Sequence, residues 1–415
     1  MPSAPAETRQ RLDRIAQHYG FPATTGAGQR IALVELRGGY IVSDMDACFN
    51  GLDPRPVITD HRVTARVDGL PLEGTNSPID VATAHRILAD LDRTDAVLAD
   101  IAKTYETHNR DWSRFMGTLE VTLDVQVAGT LASGAAIDVF FAPHSGSGLA
   151  EAIRAAVSAK ATVISVSWGQ SESSWIGPSH TRTVVDDIEN ALALARKAGI
   201  TVCCASGDDG CRNASPGDPA DGLARVNYPA SSPNALACGG TSLSFDTGAA
   251  THETVWNTTV LGTPRASGGG MSGLFSRPAW QKGLSTPKPD DVWVEPGASK
   301  GFDGRWLPDV AANADRANGY PITLAGRAFT ADGTSAVCPL WAALLARISE
   351  KLGHNVGWVN ERIYRAGGAA FNDITQGDNA MPGVTSAFHA RPGWDACTGW
   401  GAPAGQTLLA ALAGN

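Results

Sequence analysis

Ser335 stands in Asp332-Gly333-Thr334-Ser335-Ala336-Val337-Cys338-Pro339, just ahead of the apolar run Leu340-Trp341-Ala342-Ala343-Leu344-Leu345-Ala346. The run has helical spacing, and Pro339 suits a first turn because it lacks an N–H that would be orphaned there. The helix is therefore predicted to start near Ser335, with that hydroxyl at the positive end of the helix dipole. A hydroxyl so placed can act as a nucleophile if a neighbour takes its proton. The plainer reading is that Thr334 or Ser335 only caps the helix. A base elsewhere in the chain must decide between them.

The nine histidines form no His-Gly-Thr-type motif, and His18, His85, His108 and His180 fall on helical stretches where a solvated position is expected. The carboxylates offer more. Glu120 and Asp124, in Gly117-Thr118-Leu119-Glu120-Val121-Thr122-Leu123-Asp124-Val125, are spaced i, i+4. The alternation Val121, Leu123, Val125, Val127 suggests a strand, which would set the two carboxyls about 13 Å apart. On a helix their Cβ atoms would lie about 5–6 Å apart and the pair could share a proton. A coupled pair therefore needs the helix; a solvated acidic face is the competing reading. A third acid, Asp208 in Ala205-Ser206-Gly207-Asp208-Asp209-Gly210, closes an apolar run. Ligand-binding groups gather at the carboxyl ends of parallel strands, although an Asp-Gly turn would use the same residues.

The elements that must position these groups read as α/β. Residues 5–19 have helical spacing, and 30–36 form a buried strand ended by Gly38-Gly39. The stretch 50–75 is turn-rich, and Ser77-Pro78 opens a helical pattern that continues through Tyr105. Buried runs at 136–141, 162–168 and 200–205 alternate with helical stretches at 148–159 and 180–198. Continuous apolar strands alternating with helices imply a mainly parallel sheet covered on both faces. After Pro229 the pattern loosens into loops, with Gly268-Gly269-Gly270 expected to be the most flexible point; a polar loop region at 371–403 and a short helix follow. No repeat or linker interrupts the chain, so one domain is expected over 1–415.

Composition narrows the function classes. The chain has 415 residues, 43 % hydrophobic and 18 % charged, and a net charge of −9 without a basic run. That argues against nucleic acid and against an anionic membrane surface as partners. No apolar stretch reaches the length of a membrane span. The N-terminal residues carry no apolar h-region, so no signal peptide is expected in this chain. Seven cysteines without any Cys-x-x-Cys argue against a zinc site. Free thiols are expected for most, with a bridge from Cys203 or Cys204 to Cys211 left open.

Taken together and in order, these motifs resemble the sedolisin family of serine-carboxyl peptidases, nearest its kumamolisin-like members. The family pattern Ser-Gly-Thr-Ser-x-x-x-Pro is matched from Gly333 to Pro339 and departs only at Asp332. Glu-x-x-x-Asp before a segment ending Ala-Pro matches Glu120, Asp124 and Ala142-Pro143. The aspartate of Gly-Asp-Ser-Gly matches Asp208, and Ser165-Val166-Ser167-Trp168-Gly169 resembles the segment that lines the substrate cleft. The resemblance implies a subtilisin-like sheet and an acyl-enzyme peptidase. Ser335 would be nucleophile, Glu120 its base, Asp124 the partner that tunes Glu120, and a protonated Asp208 the oxyanion donor. It further implies that Glu35 and Trp168 support the base and that Ser167 and Gly169 bind substrate. A carboxyl donor must keep its proton, so an optimum on the order of pH 3–5 is expected.

The resemblance also implies one structural Ca²⁺, with carboxylates from Asp373 and Asp395 and carbonyls from Ile374, Arg391 and Gly393. Such an oxygen-only set suits a hard cation. A peptide or protein substrate, a monomer and an endopeptidase action are expected. The alternatives are a tripeptidyl exopeptidase of the same family and an inactive binding module on the same fold. Acid-active relatives are mostly secreted, which is the expectation for location. The chain starts about where a mature enzyme would, so a mature-type start without pro-domain is expected. The segment 76–116, helical by pattern, reads as an insertion that borders the cleft or packs elsewhere. Asn227 falls where specificity varies.

Overall fold

The computed structural model describes residues 4–93, 96–106, 110–176, 182–215, 218–246, 249–287, 292–296, 301–385 and 387–414. Its centre is a sheet of eight strands: β1 (Arg30–Glu35), β2 (Val57–Arg62), β3 (Ala136–Phe141), β4 (Val163–Val166), β5 (Thr201–Ala205), β6 (Leu236–Asp246), β7 (Ala249–Val255) and β8 (Val310–Asn313). Their order is β7-β6-β5-β4-β1-β3-β2, with β8 also pairing β6. Every pair is parallel except β6 with β7. The register aligns Leu33 with Ser165, and Ser165 with Cys203. The carboxyl ends of β1, β4 and β5 therefore share one edge.

Helices cover both faces: α1 (Ala4–His18), α2 (Val42–Phe49), α3 (Val81–Leu91), α4 (Leu98–Glu106), α5 (Asp111–Leu131), α6 (Gly146–Ser158), α7 (Glu172–Ile176), α8 (Arg182–Lys197) and α9 (Thr334–Leu352). Successive strand residues point to opposite faces. Accordingly Ile31 and Leu33 join a core with α1, α5 and α9, whereas Ala32 and Val34 join one with α6 and α8. This is why the parallel strands read as unbroken apolar runs.

Three sequence expectations change. The pattern at 76–105 is not one helix from Ser77. Asp80 caps α3, accepting the Thr83 N–H at 2.9 Å, and α4 is separate. Residues 76 and 77 instead strap the loop after β1: the Ser77 N–H donates to Gly38 O at 2.8 Å, and Asn76 Oδ1 accepts from Tyr40 N at 3.0 Å. The turn-rich stretch 50–75 contains β2, an edge strand whose residues are mostly exposed and so lack an apolar signature. The chain after Pro229 supplies β6, β7 and β8 rather than loops alone. Gly268-Gly269-Gly270 is buried and closely packed. A Cβ on Gly268 would come within 2.1 Å of Ser206 O, and one on Gly269 within 2.0 Å of Ala396 O.

Candidate active site

Two packed helices, α5 and α9, carry the groups singled out above. α9 is buried almost all round, which explains its continuous apolar run. It starts at Thr334 behind Gly333, whose φ of 102° suits only glycine, and no side chain caps it. The capping reading of Thr334 or Ser335 is thereby replaced. The Thr334 hydroxyl donates to Asp208 Oδ1 at 2.7 Å, and its N–H donates to the same oxygen at 2.8 Å. Pro339 lies one and a half turns into the helix, so it is the Ser335 carbonyl that loses its i+4 donor. The Ser167 hydroxyl, just beyond β4, lies 3.2 Å from that carbonyl.

α5 overrides the strand-like alternation of Val121, Leu123, Val125 and Val127, because nearly all of its second half is buried. On this helix Glu120 and Asp124 are neighbours. β1 reaches them through a close approach: Gly38 (φ +77°) lies against Gly117, and a Cβ on Gly38 would come within 2.2 Å of the Gly117 carbonyl carbon. The contact brings Glu35, at the end of β1, beside Asp124. The Glu35 carboxyl accepts from Trp168 Nε1 at 3.0 Å, and Asp124 Oδ2 accepts from Ser167 Oγ at 2.7 Å.

Two buried carboxyls, Asp124 and Glu35, and the half-buried Glu120 thus stand in a row behind Ser335. Burial lifts Glu120 to about 7; the Ser335 hydroxyl and the cations Arg37 and Arg265 oppose the rise, while Asp208 adds to it. Burial also raises Asp124 well above its usual range, reinforced by Glu35 and Glu120. Glu35 rises for the same reason, with Glu120 adding to it. Glu120 Oε1, Asp124 Oδ1 and Glu35 Oε1 have no hydrogen-bond partner among the described residues. The row therefore has room for protons that can move. Among the described residues no histidine bonds to Ser335, Glu120 or Asp208: His18 pairs with Glu253, His61 with Asp138 and His85 with Ala325 O. His18 is consequently half-buried rather than solvated; His108 and His180 lie outside the described residues.

Asp208 lies just past β5, beside the first turn of α9. Sequence reasoning missed its third partner, Arg265, whose Nη2 donates to Asp208 Oδ2 at 2.6 Å. The signal available was Asp332, an extra acid at the departing position of the nucleophile motif, which needs a cation nearby. Arg37, also missed, lies over the Trp168 ring at 5.3 Å and donates to Ser113 Oγ at 3.0 Å. Trp168 and Gly169 line a cavity of about 190 Å³ with Leu36, His144, Leu149 and Trp175. It adjoins the row of acids and has the size and apolar lining to take a side chain.

The segment 76–116 borders this site. The Thr118 hydroxyl accepts from Ile79 N at 2.8 Å, which pins the segment to α5. At its far end the Leu98 N–H donates to Leu261 O at 2.8 Å, at the tip of the hairpin formed by Asn257–Val260 and Thr263–Ala266. That hairpin carries Arg265.

Away from the site, Asp373 and Asp395 meet on one loop. Asp373 Oδ2 accepts from Gly393 N at 2.8 Å, and Asp395 Oδ2 accepts from Arg391 N at 3.2 Å. Among the described residues nothing donates a backbone hydrogen bond to the carbonyls of Ile374, Arg391 or Gly393. Asp395 Oδ1 also accepts from Cys397 N, Thr398 N and Thr398 Oγ1, so neighbouring donors already hold its carboxylate. Together with Asp373 and the three carbonyls it makes an oxygen-only set, the kind a hard cation takes. The Arg391 side chain turns away to Ser285 O, so it does not crowd this loop. All seven cysteines are buried and unpaired.

The model of the "Subtilase family" matches residues 124–388. Kumamolisin from Bacillus sp. (strain MN-32) is 39 % identical over 402 residues, 96 % of this chain and 62 % of that protein. Tripeptidyl-peptidase sed1 from Aspergillus fumigatus is 28 % identical over 419 residues, 92 % of this chain and 61 % of that protein. The chain therefore spans about three fifths of the length of each. The solved structure of Pseudomonas sedolisin, a serine-carboxyl proteinase complexed with two molecules of pseudo-iodotyrostatin, superposes with a TM-score of 0.73 at 26 % identity, covering 96 % of both chains.

Proposed function

Starting from a chain that belongs to the subtilase family, in its sedolisin branch, we propose that it is a serine-carboxyl peptidase acting as an endopeptidase. The observation that carries this reading is the row Glu120, Asp124, Glu35 behind a helix-terminal Ser335, with no imidazole bonded to it among the described residues. Ser335 Oγ attacks the scissile carbonyl while Glu120 takes its proton. Glu120 then returns that proton to the leaving amine, and water repeats the sequence on the acyl-enzyme. Asp124 and Glu35 hold Glu120 in a shared-proton row, so the three titrate as a unit. Asp208 marks the oxyanion position, with a backbone N–H of the first turn of α9 as a further donor. The contact between Ser335 and Glu120 falls short of an ordinary hydrogen bond. Such contacts are often long before substrate binds.

Ser167 and Gly169 flank the extended substrate, and the adjoining cavity receives one of its side chains. Asp373, Ile374, Arg391, Gly393 and Asp395 would hold Ca²⁺, which would tie this loop to the body. Residues 1–415 act as one peptidase domain, with 76–116 as a helical insertion in it. The test is hydrolysis of an unfolded protein and of an internally quenched peptide, with S335A and E120Q as controls. Cleavage by the wild type that both substitutions abolish supports the reading; cleavage that survives in E120Q overturns it. The tripeptidyl-peptidase among the relatives supports a second reading, release of tripeptides, which would require a free substrate N-terminus. Blocking that terminus separates the two.

A further inference from the structure

Arg265 has no role of its own in the mechanism proposed above, yet it bonds the carboxyl of Asp208. Resting on the peptidase reading, we infer that Arg265 is a positioning residue of the oxyanion site. Its guanidinium holds Asp208 as an ion pair against the loop that carries Ser335 and supplies a fixed positive charge there, so that cleavage extends toward neutral pH.

The geometry comes first. Every partner of the Asp208 carboxyl is a donor: the Thr334 N–H and hydroxyl on Oδ1, and Arg265 Nη2 on Oδ2. A proton on this carboxyl would compete with donors already in place. The pair lies against the nucleophile's own loop, since a Cβ on Gly333 would come 2.9 Å from Asp208 Oδ2 and 3.5 Å from Arg265 Nη2. The arginine is fixed on a strand that is itself tied to the Asp208 loop. Ala266 N donates to Asp208 O at 2.8 Å, and Gly210 N donates to Ala266 O at 3.0 Å. The Trp256 ring lies 5.7 Å from the guanidinium. Arg265 Nε is buried with no partner among the described residues.

Other charges face the pair from each neighbouring element. Asp209, on the same loop, has Arg212 at 3.8 Å. Asp332, ahead of α9, has Arg316 at 3.4 Å. Glu120 faces it from α5. Burial alone would lower the guanidinium's pKa, but Asp208, Asp332, Asp209 and Glu120 together raise it. A guanidinium keeps its charge across the working range. In a site sheltered from water such a fixed charge favours a developing oxyanion. The base matches this arrangement: Glu120, lifted to about 7, becomes more available as pH rises toward neutrality.

The experiment compares kcat/KM on one internally quenched peptide from pH 3 to 8 for the wild type, R265Q and R265K, each first shown to be folded by circular dichroism. R265M replaces R265Q should the latter not fold. The wild type is expected to remain active at pH 7. R265Q should lie within about threefold of it at pH 4 but fall about 10- to 100-fold below it at pH 7, the scale of losing one oxyanion donor or somewhat less. R265K, which keeps the charge without the planar fork, should recover part of the loss. A merely structural role would lower activity equally at all pH values, so profiles of the same shape overturn the inference. So does a wild type that is silent at pH 7 but active at pH 4. A wild type that cleaves nothing from pH 3 to 8 overturns the peptidase reading as well, which distinguishes the two failures.

Discussion

Pro339 stands four residues after Ser335, and the N–H it lacks leaves the Ser335 carbonyl to the Ser167 hydroxyl, 3.2 Å away. The same hydroxyl lies 2.7 Å from Asp124 Oδ2. A hydroxyl has one proton to give. While Asp124 is ionised its carboxylate takes that proton, as in the bond described above. Once Asp124 is protonated, as burial favours, the bond reverses and Ser167 is free to donate to the Ser335 carbonyl. The Ser335 backbone is thus linked to the protonation of the acids behind it. S167A should lower kcat about 5- to 10-fold, the worth of one hydrogen bond, with little change in KM. Steady-state kinetics beside S335A would check this.

The row of acids makes stability depend on pH in a defined direction. Glu120 is raised from its ordinary 4.5 to about 7, so between these values the folded chain binds a proton that the unfolded chain has released. Its contribution is complete below about pH 4.5 and is lost as pH rises through about 7. Asp124 and Glu35 act in the same sense. The urea midpoint should therefore fall from pH 4.5 to 7, and E120Q should flatten that slope. An unchanged slope in E120Q would contradict the assignment.

The hydrogen bond from Leu98 N to Leu261 O can be removed on its own. Leu98 is the first residue of α4, where proline is tolerated. L98P should keep the fold, loosen the hairpin that carries Arg265, and weaken cleavage at pH 7 more than at pH 4. Hydrogen exchange at 257–266 together with the pH profile would report it. Deleting 78–114 is expected to be harsher, because Ile79, Ile87, Leu88 and Ile101 are buried against the core.

Calcium removal offers a separate check on the C-terminal loop. A ligand bound at about 100 times its Kd adds roughly 2.7 kcal/mol to stability. In a chain of this size, Tm should then drop by about 3 °C on chelation. Calcium should restore it in the wild type but not in D395N, followed by a thermal melt.

Much of the fold was legible in the chain. The run at 136–141 is β3, and those at 162–168 and 200–205 enclose β4 and β5, because strands buried on both faces leave unbroken apolar sequence. β2 was not legible, since an edge strand such as Thr59-Asp60-His61-Arg62 shows mostly polar residues to solvent. The site divides the same way. Ser335, Glu120, Asp124 and Asp208 each sit in a short motif that alone reads as a cap, a solvated face or a turn, and only their order along the chain resembles the sedolisin pattern. Arg265 reaches Asp208 from 57 positions away, a pairing that no local pattern encodes.

The glycine triplet at 268–270 fills the gap between Ser206, next to the Asp208 loop, and Ala396, next to Asp395. Even one added methyl group there would wedge these two regions apart. The distance between the Asp208 loop and the loop of Asp395 is consequently set by the absence of side chains, and neither loop can shift without the other.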